Sequence, residues 1–127
     1  MDKQNLIDSG FLEFSPSYYI NESGLIFSLK SAKFLKPTSN SNGYMVTEIC
    51  IKGKRKKVYN HIKVVEMFGD CHGNRIYPGL KNLLSHGISI DHLNSDRLDP
   101  RRQNLELVAH QLNCERRSKN CSNELGF

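Results

Sequence analysis

Two short apolar runs, ISID at 88–91 and LELV at 105–108, stand on either side of thirteen mostly polar residues, HLNSDRLDPRRQN, and leave the C-terminal third few ways to fold. Each run is too short for a helix and the right length for a strand buried on one side. The polar segment reads as a loop, and HQLNCERRSK after the second run reads as a helix. This order puts Asp91 and His92 at the end of the first strand, Asn104 at the entrance of the second, and Asn113 one turn into the helix. Twelve residues separate His92 from Asn104, and Asn113 follows nine later. Folding the hairpin against the helix brings the four side chains together.

Imidazole and amide groups are poor core fillers, so the pattern is either a polar turn-and-cap network, since Asp and Asn favour loops, or a chemical site. In the chemical reading each residue has a task. Asp91 and Asn113 offer hard oxygen ligands suited to Mg²⁺ or Mn²⁺. A histidine titrates near neutrality, so His92 can take a proton from water. The Asn104 amide oxygen can accept a hydrogen bond from the second imidazole nitrogen and fix the ring. Together these groups meet the needs of phosphodiester hydrolysis: an activated water, a metal at the leaving oxygen, and a fixed phosphate between them.

Upstream the patterning is mainly that of strands. Residues 1–17 are weakly patterned, are expected to be partly mobile, and end in an SPS break. YYINESGLIFSLK then reads as two strands joined at Asn21–Gly24. After a loop around Pro37–Gly43, Met45, Thr47, Ile49 and Ile51 share one face of an alternating run. Gly53 turns that run back into Lys54–Tyr59 as a hairpin. In NHIKVVEMFG the period changes: Ile62, Val65 and Phe68, with Val64 beside them, recur at helical spacing and Gly69 stops the helix. The expected architecture is α+β, an N-terminal antiparallel sheet with a helix leading into a C-terminal ββα unit. Its divisions are an N-terminal segment 1–17, a β-rich region with helix 18–69, a connector 70–87 with at most one helical turn near Leu80–Leu84, the ββα unit 88–120 and a tail 121–127.

A chain of 127 residues holds one domain or two small lobes sharing a core. The net charge of +5 and pI near 9.1 favour a polyanionic partner. Six of the basic residues and no acid fall between Ile51 and Lys63. The apolar runs are too short for a membrane span or signal segment, so a soluble, cytoplasmic protein is expected. The four cysteines, Cys50, Cys71, Cys114 and Cys121, form no C-x-x-C pair, which favours free thiols. A mixed zinc site drawing on Cys71, His72, Cys114 or Cys121 is the alternative, since zinc ligands can come from distant segments.

The segment Ile90–Asn113 resembles the HNH motif of ββα-metal nucleases, in the H-N-N variety of phage homing and nicking endonucleases. The match falls on Asp91-His92, Asn104-Leu105 and Asn113, and YYINESGLIFSLKSAKFLK, GYMVTEICIKGK and VYNHIKVVEMFG are similar to the β-rich segment before it. Resemblance thus covers about Tyr18 to Arg117. It implies a DNA endonuclease in which His92 is the general base, Asn104 orients it, and Asp91 and Asn113 hold a single divalent metal, Mg²⁺ or Mn²⁺. Cleavage is expected to leave 5′-phosphate and 3′-hydroxyl ends, one strand per active site, in a monomer or weak dimer acting on double-stranded DNA in the cytoplasm of a phage host. Two residues depart from the pattern: Ala109 stands where a helix-capping Thr is frequent and Ser95 where Gly is frequent.

The remaining expectations concern contacts. Lys52, Lys54, Arg55, Lys56 and Lys57 on the hairpin suit phosphates or a groove, because a two-stranded ribbon fits the major groove; a solvated edge strand is the plain alternative. Arg97, Arg101 and Arg102 are expected at the scissile strand, joined from the helix by Arg116 and Arg117. His110, three residues before Asn113, is a candidate metal or phosphate contact. His61 is expected to pack or hydrogen-bond, and Asp96 and Asp99 to bond loop backbone. The competing readings are a non-catalytic DNA-binding module with a degenerate site and a zinc-stabilised interaction domain.

Overall fold

The computed structural model describes residues 2–76 and 83–109. Helix α1 (Lys3–Asp8) is followed by β1 (Leu12–Ser15), β2 (Tyr18–Ile20), β3 (Ile26–Ser28) and β4 (Lys33–Phe34), which form one antiparallel sheet in that order. A second antiparallel sheet joins β5 (Thr38–Ser39), β6 (Met45–Ile51) and β7 (Lys54–Tyr59). Helix α2 (Asn60–Phe68) and a 3₁₀ turn (Leu83–His86) precede the two-stranded ribbon of β8 (Ile88–His92) and β9 (Leu105–Ala109). The expected α+β order, N-terminal antiparallel strands with a helix and then a two-stranded unit, is present, with the N-terminal strands divided between two sheets. The expected metal-binding helix lies outside the described residues, as do the core of the 70–87 connector and the tail. No helix among the described residues is long and apolar enough to cross a membrane.

The segment 1–17 is built rather than loose. Leu6 of α1 and Phe11 are buried with Tyr19 and Phe27 in a small cluster, and Asp2 caps α1 by accepting from the Asn5 N–H. The SPS break is the turn between β1 and β2, with Ser17 at φ +70°. The alternating run behaves as its period demands: Thr47 and Ile49 of β6 are buried while Glu48 and Cys50 are exposed. Lys52 and Gly53 both take positive φ at the β6–β7 turn, the backbone that matches the twist of a tight hairpin. On α2, Val64 and Val65 are fully buried, with Ile62 and Phe68 packed against the same core.

That core joins both sheets, the helix and the ribbon: Ile20 and Ile26 come from the first sheet, Ile49 and Val58 from the second, Val64 and Val65 from α2, and Ile90 and Leu105 from the ribbon. Polar anchors fix how they meet. Buried Asn60 accepts from the Thr47 hydroxyl at 2.9 Å and donates to the Gly24 carbonyl at 2.8 Å. Gly24 has φ +84°, and a Cβ there would stand 2.6 Å from the Pro100 ring, so only glycine lets the β2–β3 turn touch the β8–β9 loop. Beside it the Arg102 N–H donates to the Glu22 carbonyl, and the Arg102 guanidinium reaches the Glu22 carboxylate at 3.1 Å.

Candidate active site

In the ribbon Ile90 pairs with Leu107, Asp91 with Glu106 and His92 with Leu105. Side chains alternate along a strand, so His92 shares the inward face of Ile90 while Asp91 lies with Glu106 on the other. Burial follows: His92 is 6 % exposed and Asp91 is half-buried.

The loop leaving His92 is held by Asn104. Its backbone carbonyl accepts from the Leu93 N–H at 2.8 Å, its amide oxygen from the Asn94 N–H at 2.9 Å, and its amide nitrogen donates to the Asp99 carbonyl at 3.1 Å. The expected direct bond from Asn104 to the imidazole is replaced by these contacts. Its amide is directed at the loop, because the β8–β9 pairing puts it beside the Asn94 backbone, and it positions His92 through the main chain. The loop is otherwise closed by its own acids: Asp96 accepts from the Leu98 N–H, and Asp99 from the Asn94 amide and the Arg101 guanidinium. The Arg101 contacts hold Asp99 at about 2, well below the usual carboxylate range. Ser95 sits at φ +64°, the left-handed backbone where glycine costs least.

His92 faces aromatic groups from two other segments. Its ring centroid is 5.0 Å from that of His61 and 5.7 Å from that of Tyr44, and the His61 and Tyr44 rings stack at 4.7 Å and 11°. Arg97 lies over the other part of this cluster, 5.2 Å from the Tyr44 ring centroid, and donates to the Asn42 carbonyl at 2.8 Å. Burial lowers the His92 pKa, Asp91 opposes that shift and Arg97 adds to it, so the net direction is down. His61 is pushed to about 3 by burial and by the neighbouring His92. Both rings are therefore neutral near pH 7. His92 Nε2 and His61 Nδ1 are buried and without a hydrogen-bond partner among the described residues. A neutral imidazole beside a carboxylate at a strand end is equipped to take a proton from water.

The other expected residues divide clearly. Lys52, Lys54, Arg55, Lys56 and Lys57 are all exposed on the β6–β7 hairpin, with β7 at the edge of its sheet. Arg55 lies 3.8 Å from Glu48, an exposed pair of little energetic weight. Arg101 is paired with Asp99, and Arg102 bonds the Asp70 carbonyl and Glu22, so Arg102 braces the loop against the β2–β3 turn. Asn113, His110, Arg116 and Arg117 lie outside the described residues, as do Cys114 and Cys121.

Three residues matter more than their sequence signals suggest. His61 reads as a packing residue, although 61, 64, 65 and 68 share one helical face and place it toward the same core as the valines. Tyr44 carries no comparable signal. Asp70 carries none either: fully buried, it accepts from the His72, Asn74 and Leu107 N–H groups at 2.8–2.9 Å and ties the segment after α2 to β9. Burial raises its pKa, and the three N–H donors outweigh that to leave it below the ordinary value.

No family model matches the chain. In sequence it is similar to the H-N-H endonuclease F-TflI of Escherichia phage T5, 30 % identical over 95 residues, which cover 75 % of this chain and 44 % of that protein. The chain thus spans less than half the length of this relative. In fold it is similar to the HNH homing endonuclease I-HmuI, in a structure described as showing DNA binding and cleavage, with a TM-score of 0.66 and 22 % identity over 85 % of this chain and 57 % of that one.

Proposed function

We propose that this chain, HNH-endonuclease-like in sequence and in fold, is a divalent-metal-dependent DNA endonuclease that nicks one strand per active site. The observation that carries the reading is His92: an imidazole held neutral by burial, its Nε2 without a partner among the described residues, at the end of the strand that also carries Asp91. An alternative polar cap network gives no reason to bury an imidazole nitrogen that has no partner among the described residues, which costs about 1–3 kcal/mol.

His92 accepts the proton of the attacking water. Asn104 keeps the turn after His92 closed, so the ring is aimed before substrate arrives. Asp91 fits a hard divalent ion by its donor type, with the Asn113 amide oxygen as the expected second protein ligand. Bound there, Mg²⁺ or Mn²⁺ would supply charge neutralisation at the leaving oxygen. The exposed lysines and Arg55 of the β6–β7 hairpin contact the phosphates of double-stranded DNA. The same reading makes the protein a monomer or weak dimer acting in a host cytoplasm.

Supercoiled plasmid incubated with the protein tests this. Conversion to open circles in Mg²⁺ or Mn²⁺, with 5′-phosphate ends and full suppression by chelator, is the expected outcome. Salt-sensitive plasmid binding without cleavage in either metal would instead favour the DNA-binding module with a degenerate site.

A further inference from the structure

We propose that Cys71, His72 and Glu106 form a zinc site that fastens the segment after α2 to β9. The site shares no residue with the Asp91, His92 and Asn104 set and does not depend on the nuclease reading. It starts from a backbone already fixed. The buried Asp70 carboxylate accepts from the His72 and Asn74 N–H groups with one oxygen and from the Leu107 N–H with the other. The Cys71 N–H donates to the Leu105 carbonyl at 2.8 Å, and the Gly73 N–H closes the turn onto the Asp70 carbonyl at 3.0 Å. None of these bonds uses the side chains of Cys71 or His72.

Those side chains lie beside Glu106, one ligand atom from each residue falling within 4.8 Å of the other two. His72 Nε2 is 2.9 Å from Glu106 Oε2. Zinc bonds of about 2.0–2.3 Å in a tetrahedron set ligand atoms roughly 3.3–3.7 Å apart, so shifts of about 1 Å or less complete the arrangement. One thiolate, one imidazole and one carboxylate are a zinc donor set, and the thiolate disfavours Mg²⁺. Water takes the fourth position. Burial, then Asp70 and Glu106, raise the Cys71 thiol pKa, and the two carboxylates favour a cation beside it. Zinc binding reverses that balance and releases the thiol proton to solvent. His72 is exposed and the other two are half-buried, which leaves the site open to entering metal.

Co²⁺ is the probe. Metal-stripped full-length protein carrying Asp91→Ala, so that the candidate catalytic ligand is absent, is titrated with Co²⁺ and followed by absorption. One equivalent is expected to give a thiolate-to-cobalt charge-transfer band with tetrahedral visible bands, both displaced by Zn²⁺. The bands should survive Cys50→Ser and vanish in Cys71→Ser. Exposed His72 is changed to Gln as a second variant that keeps the fold, and its metal affinity should fall more than about tenfold, the loss typical even of outer-shell changes. No charge-transfer band, bands that survive Cys71→Ser in folded protein, or an unchanged affinity in His72→Gln would overturn the site.

Discussion

At the scale of single residues, His61 and His92 are buried with their ring centroids 5.0 Å apart, and His92 discourages charge on His61. Desolvation is the larger cause for both, and it makes stability depend on pH. The His61 pKa is about 3 in the folded chain and near 6.5 when exposed. The unfolded chain therefore binds the proton first as pH falls below 6.5. The stabilisation is complete above that value and is lost progressively toward pH 3, at up to about 1.4 kcal/mol per pH unit. Between pH 6.5 and 5 the wild type should lose about 1.6 kcal/mol through His61 alone. His61→Gln, which does not titrate, should flatten that part of the curve. Urea midpoints at the two pH values check this, and equal losses in both proteins would show that His61 is not the titrating group.

At the scale of elements, the β6–β7 hairpin combines a buried face with a cationic edge. Val58 is buried while Lys54, Arg55, Lys56 and Lys57 stay exposed. Each cation that neutralises a phosphate steepens the salt dependence of DNA binding, and removing it makes that dependence shallower. Changing Lys54 and Lys56 to Glu should weaken plasmid affinity and reduce the slope of log affinity against log salt by about 2, with thermal stability unchanged. An unaltered slope would make these lysines edge protection only. This hairpin is legible in the sequence because period-two burial at Thr47 and Ile49 and a turn at Gly53 are local signals. The pairing of β8 with β9 across the polar loop is legible for the same reason. Helix α1 and the two-residue strands β4 and β5 are not: their sequences carry little period, and they exist through partners distant in the chain. The Asp70 anchor is hidden for that reason as well, since its Leu107 partner is thirty-seven positions away. Asn104 can be read as a candidate site residue, but its hydrogen-bond partner cannot, because the register of two strands decides which group faces its amide.

At the scale of the whole molecule, the ribbon carrying His92 is held from three directions. The Gly24 and Pro100 contact and the Arg102 bonds tie its loop to the first sheet, His61 and Tyr44 press on the ring, and Asp70 grips β9. Such a frame aims one imidazole without depending on it for folding, so the base can be removed from an intact scaffold. Removal relieves the cost of a buried nitrogen without a partner among the described residues and leaves a cavity beside His61 and Tyr44, two effects on stability of opposite sign. The decisive measurement is therefore single-turnover plasmid cleavage in Mn²⁺ by wild type and His92→Ala, with circular dichroism and DNA affinity matched between them. The account predicts a loss of about 10²–10⁴-fold in rate with folding and binding retained, the range expected of a general base. A folded, DNA-binding His92→Ala protein that cleaves within a few-fold of wild type would contradict it.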